Sequence, residues 1–347
     1  MNPTFLHRFG RLFLSCAALI VLIMPITQAE ADTITLNASG ATFPEPLYGR
    51  WFAEYSKQHP DVHINYQGIG SGSGIKQFTD GLTDFGASDA AMSDQEIAAV
   101  KTGGVLLLPM TAGSIVLSYN LPGVTDSIKL PRAVYPAIFL GEIKKWNDPK
   151  IAEANPGVKL PDMPINVAYR ADGSGTTFNF TGHLATISAD FKTRVGSGKL
   201  VKFPVGVGGK GNDGVAALIK QTPGTIGYIE YGYAQQIKLP MATLENQAGK
   251  FVAPTPESGA AALGSATMPE NLRAFVTDPP GDGSYPIVTF TWWLVHSEYS
   301  KPGVADAIKA LAAWSLTDGQ KFSPDLGYLP LPANVLAKVQ TAVGQVK

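Results

Sequence analysis

The 347-residue sequence holds one cysteine, Cys16. A single thiol excludes a disulfide framework and a cluster of thiolate metal ligands, so burial must hold the fold together. Charge is scarce as well: charged residues make up 16% and the formal net charge is −1. That excludes a charge-rich disordered chain and a basic surface for nucleic acid. The histidines are few (His7, His59, His63, His183 and His296), and none belongs to a His-Glu-x-x-His motif. No metal and no cofactor is therefore expected. Long apolar runs are missing too; the longest, Leu12 to Thr27, is shorter than the ~20 residues of a spanning helix.

What is present is ordinary globular material. Hydrophobic residues make up 45%, and the length suits about two domains. Residues 1–31 read as a cleaved secretory signal, with Arg8 and Arg11 before the apolar run and small-residue cleavage options ending at Ala29 and Ala31. Cutting after Ala31 removes two arginines and one glutamate and moves the net charge from −1 to −2. Cys16 leaves with it. The mature protein is expected to be exported, soluble and thiol-free.

The organising stretch runs from Tyr169 to Phe178. Ile165, Val167 and Tyr169 alternate as a strand that ends in Arg170. Gly173, Ser174, Gly175 and Thr176 form a turn, and Phe180, Leu184 and Ile187 then recur at helical spacing. Unpaired N–H groups and the dipole make a helix N-terminus partly positive, and glycines let the backbone approach a ligand. With Arg170 beside them, these residues describe a site for a small oxyanion. They equally describe a plain strand-to-helix turn in which Ser174 caps the helix and Arg170 pairs with Asp172.

Similar units recur. Ala38 to Pro46 leads into a helix marked by Leu47, Trp51 and Tyr55, which puts Thr42 and Phe43 at its N-terminus, Thr42 either as donor or as simple cap. Val62, Ile64 and Tyr66 alternate before Gly68-Ile69-Gly70-Ser71-Gly72-Ser73-Gly74, and Ile75, Phe78 and Leu82 follow at helical spacing. This glycine-rich turn fits neither the dinucleotide nor the Walker pattern. A short strand ends at Ser88-Asp89, and Ser93-Asp94-Gln95-Glu96 is a capping box. Val105–Met110 and Ser114–Asn120 read as strands or as one strand interrupted at Pro109. Gly206 to Gly211 matches Gly-x-Gly-x-x-Gly, but Pro204 interrupts the run before it, so a tight loop ahead of a helix from Val215 to Lys220 is expected. Leu244 to Leu263 reads as surface loop, Pro286 to Val295 as a long strand, and two helices close the chain. Alternating strands and helices mean α/β, with two lobes and a ligand between them the natural arrangement.

Five motifs, Ala38–Pro44, Tyr66–Gly72, Asp84–Asp89, Arg170–Thr176 and Gly208–Gly214, occur in this order. Together they make the whole mature chain resemble the periplasmic phosphate-binding proteins of Pst-type ABC phosphate importers. The resemblance implies an α/β, type II-like, two-lobed periplasmic-binding-protein fold with two hinge crossings, placed near Pro109–Gly113 and Pro286–Thr291. Lobe I would comprise 32–109 and 292–347, and lobe II 110–291. It also implies a phosphate site made of Ala41, Thr42, Phe43, Ser71, Asp89, Arg170, Ser174, Gly175 and Thr176, with Asp172 supporting Arg170. The implied partners are inorganic phosphate and the membrane subunits of the importer, with no nucleic acid; the protein would be a monomer in the periplasm. Two positions depart from common family patterns: Ser73, in Gly-Ser-Gly-Ser-Gly, and Tyr169, where some members carry a second arginine.

Two other readings compete. A secreted phosphoesterase could use the same cradle for a phosphoryl transition state, but Gly86-Ala87-Ser88-Asp89-Ala90 only approximates the Gly-x-Ser-x-Gly elbow. A binding protein for another oxyanion is the third. Asp89 speaks against sulfate, because a carboxylate facing a fully deprotonated oxyanion has no proton to accept and meets like charge.

Overall fold

The computed structural model describes residues 33–101 and 103–347; the expected signal and Cys16 lie outside them. Eleven strands are found among the described residues: β1 Ile34–Gly40, β2 Val62–Gly68, β3 Phe85–Ser88, β4 Val105–Tyr119, β5 Lys129–Leu130, β6 Asn166–Arg170, β7 Val207–Gly209, β8 Thr225–Glu230, β9 Thr243–Glu245, β10 Phe251–Val252 and β11 Val288–His296. Eight of them form one sheet in the order β2-β1-β3-β11-β4-β8-β6-β7, and β10-β9-β5 form a small second sheet.

The N-terminal part of the large sheet is parallel where strand–helix–strand units build it (β1 with β2 and β3). The late strand β11 then inserts antiparallel between β3 and β4. β4 is the long element. It pairs with β11 from Val105 to Ser114 and with β8 from Ile115 to Tyr119, so it belongs to both halves of the sheet. The register slips between Thr291 and Trp292, opposite Pro109 and Thr111. All of β11 and nearly all of β4 is buried. Central strands covered on both faces read as largely apolar runs, and these two do, with Thr289 and Thr291 in β11 and Thr111, Ser114 and Ser118 in β4 the buried polar exceptions.

Helix Glu45–Gln58 lays Leu47, Tyr48, Trp51 and Tyr55 on the sheet, with Tyr48 5.8 Å from Trp293 and edge-on to it. Helix Val304–Leu316 buries Val304, Ile308 and Leu311, as their spacing predicts. The chain's two ends thus cover the same half of the sheet.

Two expectations are corrected, those on 244–263 and 206–211, and two readings left open are decided. β4 is one continuous strand, because Pro109 sits beside the register slip, where an imide without N–H costs little. Residues 244–263 are not surface loop: β9, β10 and helix Pro256–Gly264 bury Leu244, Ala262 and Leu263 under a Thr255 capping box. The 206–211 stretch contains the edge strand β7, and the helix after it starts at Gly211, four residues earlier than Val215. The helix opened by Ser93 is only Asp94–Ala98 and buries none of its residues, although the capping box forms as read.

Candidate anion-binding site

Four chain segments meet where strands end and helices begin. The first is the turn after β1. Thr42 and Phe43 precede helix Glu45–Gln58, whose N-terminal boundary is Pro44 without a side-chain cap. Thr42 is therefore no cap. Its carbonyl accepts from Tyr233 Oη at 2.6 Å and that of Phe43 from Tyr328 Oη at 2.7 Å. Ala41 is held by its own N–H to Ala87 O (2.9 Å) and by Tyr66 Oη on its carbonyl. The second segment is the glycine-rich turn, where Gly70 has φ 89° and helix Ser71–Thr79 begins without a side-chain cap. Ser71 is buried and Ser73 exposed, so Ser73 points away from the site.

The third segment ends β3. Asp89 is buried and lies between two hydroxyls. Thr291 Oγ1, on β11, donates to Oδ1 at 2.8 Å, and Ser71 Oγ is 3.4 Å from Oδ2 while accepting the Asp89 N–H at 3.2 Å. Burial pushes the Asp89 carboxyl up to about 7, against the bond from Thr291 and the charge of Arg170. Asp89 does not cap the next helix; Ser93 does. Ser88, the hydroxyl of the approximate elbow, donates to Ala90 O at 2.5 Å and is spent on its own turn.

The fourth segment is the organising stretch. Arg170 is buried at the end of β6. Its guanidinium grips Asp172 through Nε (2.8 Å) and Nη2, and Nη1 donates to Thr176 Oγ1 at 3.3 Å. One N–H on each terminal nitrogen keeps no acceptor among the described residues. Burial would raise the Asp172 carboxyl, but the bonds and charge of Arg170 and the Gly211 N–H outweigh it and hold it below the usual range. Ser174 caps helix Gly175–Ile187 by accepting the Thr177 N–H at 3.0 Å. The cap and the Arg170–Asp172 pair of the plain-turn reading are both present, and they leave the Gly175 and Thr176 N–H groups without acceptors among the described residues. Gly175 has to be glycine: a Cβ there would come within 2.7 Å of Ser71 Oγ and 2.6 Å of Asp89 Cβ.

That close approach joins the Ser71–Asp89 pair to the Arg170–Thr176 group. Cross-links hold the halves together: Gly72 N–H to Gly173 O at 2.8 Å, Asn179 Nδ2 to Asp89 O at 2.6 Å, and a Lys199–Glu96 ion pair. The main-chain N–H groups of Thr42, Phe43, Ser71, Gly175 and Thr176 have no acceptor among the described residues, although all five residues are buried. Buried N–H groups are almost always paired, so these five are candidate donors to a ligand with acceptor oxygens. Ala41, Thr42, Phe43, Ser71, Asp89, Arg170, Asp172, Ser174, Gly175 and Thr176 lie at these junctions, whereas Ser73 does not. Two were missed, Thr291 and Asn212. Thr291 lies inside an apolar strand run and carries no local signal. Asn212 lies within the Gly208–Gly214 motif, but the apolar pattern starts its helix only at Val215, past Asn212.

Residues 27–319 match the family model described as a PBP superfamily domain. The chain is 40% identical over 327 residues to the phosphate-binding protein PstS of Pasteurella multocida, covering 93% of this chain and 94% of that protein. It is also 40% identical over 348 residues to the PstS of Methanocaldococcus jannaschii, covering 93% and 89%. Among solved structures, a high-affinity periplasmic phosphate-binding protein (PfluDING) with bound phosphate superposes with a TM-score of 0.72 at 20% identity, covering 89% of this chain and 93% of that one. A putative phosphate ABC transporter substrate-binding protein from Clostridium perfringens, also with bound phosphate, gives 0.64 at 19%, covering 86% and 100%. These structural likenesses bear out the mixed α/β, two-lobed binding-protein fold.

Proposed function

The chain belongs to the PBP superfamily and, within it, to the family of the phosphate-binding proteins PstS; from that premise we propose that it binds inorganic phosphate between its two lobes and delivers it to the membrane subunits of an ABC-type phosphate importer. It is a binding protein and not an enzyme, as its relatives are named for binding. We place it in the periplasm as a monomer without affinity for nucleic acid. The lobes are 32–109 with 292–347, and 110–291, joined where β4 and β11 cross.

One observation carries the reading: five N–H donors on buried residues, without acceptors among the described residues, belong to the same junctions that hold the buried carboxylate of Asp89. Donors alone suit any oxyanion, whereas the carboxylate asks for a ligand that brings a proton. In this reading Thr42, Phe43, Ser71, Gly175 and Thr176 donate to phosphate oxygens. Arg170 supplies the cation and Asp172 fixes its plane. Ser174 ends the cradle as helix cap, Ala41 holds the turn, and Asp89 accepts the phosphate proton. Calorimetric titration of ligand-stripped protein with phosphate, arsenate and sulfate tests it. Phosphate should bind and sulfate should not, and a chromogenic phosphate ester should not be turned over. Absence of phosphate binding, or turnover of the ester, would overturn the reading.

A further inference from the structure

Asn212 is the second residue of helix Gly211–Gln221 and is fully buried. Its Oδ1 accepts the Glu230 N–H at 3.0 Å. A backbone N–H can only donate, so the atom facing it must be the amide oxygen, and the NH2 group is thereby turned to the other side. There Nδ2 donates to Thr42 Oγ1 at 3.0 Å and to Thr176 Oγ1 at 3.3 Å. The Asn212 N–H adds a second bond to Thr42 Oγ1 at 3.1 Å. Each polar atom of this amide is in use, and it touches both sides of the cleft: Thr42 follows β1, whereas Thr176 follows β6.

A hydroxyl has two acceptor lone pairs and one proton. Both acceptor positions of Thr42 Oγ1 are filled by Asn212. Those of Thr176 Oγ1 are filled by Asn212 and by Arg170 Nη1. Each hydroxyl is then left with its proton as the only thing to offer.

We propose that Asn212 is a positioning residue that determines specificity: it bridges the cleft from the Glu230 N–H to Thr42 and Thr176 and makes both threonine hydroxyls obligate donors toward an oxyanion. This rests on the phosphate reading. Its consequence is that closing the cleft and polarising Thr42 are one event, because the Thr42 bonds reach across from the opposite half.

The test is a double-mutant cycle in phosphate affinity on ligand-stripped protein: wild type, Asn212→Ala, Thr42→Val and the pair. Valine keeps the threonine shape without the hydroxyl. Asn212→Ala should weaken phosphate about tenfold or more in the wild-type background, and no more than about threefold once Thr42 is valine. A residue that only anchors its helix start to Glu230 would cost the same in both backgrounds, and losses that simply multiply would overturn the proposal. Where the alanine variant does not fold, Asn212→Ser, which keeps a hydroxyl to accept the Glu230 N–H, takes its place in the same cycle. Wild type that fails to bind phosphate sinks the functional reading itself; wild type that binds, with multiplying losses, sinks only the role of Asn212.

Discussion

Asp89→Asn separates what attracts an oxyanion from what selects one. The carboxylate sits among donors: Thr291 Oγ1 at 2.8 Å on Oδ1, Ser71 Oγ at 3.4 Å from Oδ2, and Arg170 close enough to act on its charge. An asparagine keeps the shape and an oxygen for Thr291, and it turns an NH2 group toward the cradle. For phosphate, an acceptor of its proton is lost; a hydrogen bond to a charged group is worth about 1.5–3 kcal/mol, partly offset here by relief of repulsion. For sulfate nothing is lost, a donor is gained, and a like-charge contact of several kcal/mol disappears. The gap between the two anions should close by about 3 kcal/mol, on the order of a hundredfold in the ratio of dissociation constants. Competitive titration of both anions at constant ionic strength reads that ratio, with phosphate affinity itself moving little. Because burial places the wild-type carboxyl at about 7, its neutral, proton-bearing form prevails below that pH. Wild-type sulfate affinity should therefore rise as pH falls through 7, while that of Asp89→Asn stays flat. An unchanged ratio in a mutant that only melts earlier would show that Asp89 is structural and that discrimination lies elsewhere.

Arg170→Ala should weaken phosphate by about 1.5–3 kcal/mol, the worth of a charged hydrogen bond, because the backbone donors remain; adding Asp172→Ala should recover part of the loss by removing the stranded carboxylate. An unchanged dissociation constant at physiological salt would remove Arg170 from the site. Phosphate touches groups on both halves, so it should favour the closed form and shrink the radius of gyration in solution scattering; identical profiles would mean a rigid, preformed pocket. Asp89 also bears on stability. Its folded carboxyl titrates above its unfolded one, so the folded state holds the extra proton between the ordinary carboxylate range and 7, and stability falls as pH rises through that window. Urea melts should show this slope in wild type and lose it in Asp89→Asn; equal slopes would refute the buried titration.

The parts legible in the sequence were those with local chemistry. Strand–glycine–helix units announce themselves through short-range rules, and Arg170, Ser174 and Ser71 each sit at such a junction. The capping box at Ser93 was read correctly for the same reason. Residues 244–263 were misread because small residues such as Ala262 look like loop yet pack closely against neighbours distant in sequence. Thr291 was invisible for a different reason. Its neighbours in sequence are apolar, and its partner Asp89 is 202 positions away. Asn212 shows that a motif can be seen without its use being seen, since its value lies in bonds to Thr42 and Thr176 that sequence spacing does not encode.

The place of β11 in the sheet also governs when the protein can fold. Residues 288–296 fill the gap between β3 and β4, so strands made early wait for one made late. Long-range pairing of this kind is slow, because loop closure precedes its reward. A chain emerging from the ribosome cannot complete this sheet until His296 has been made. For a protein that we propose to cross a membrane, a sheet that needs one of its latest strands keeps the chain open to threading for longer.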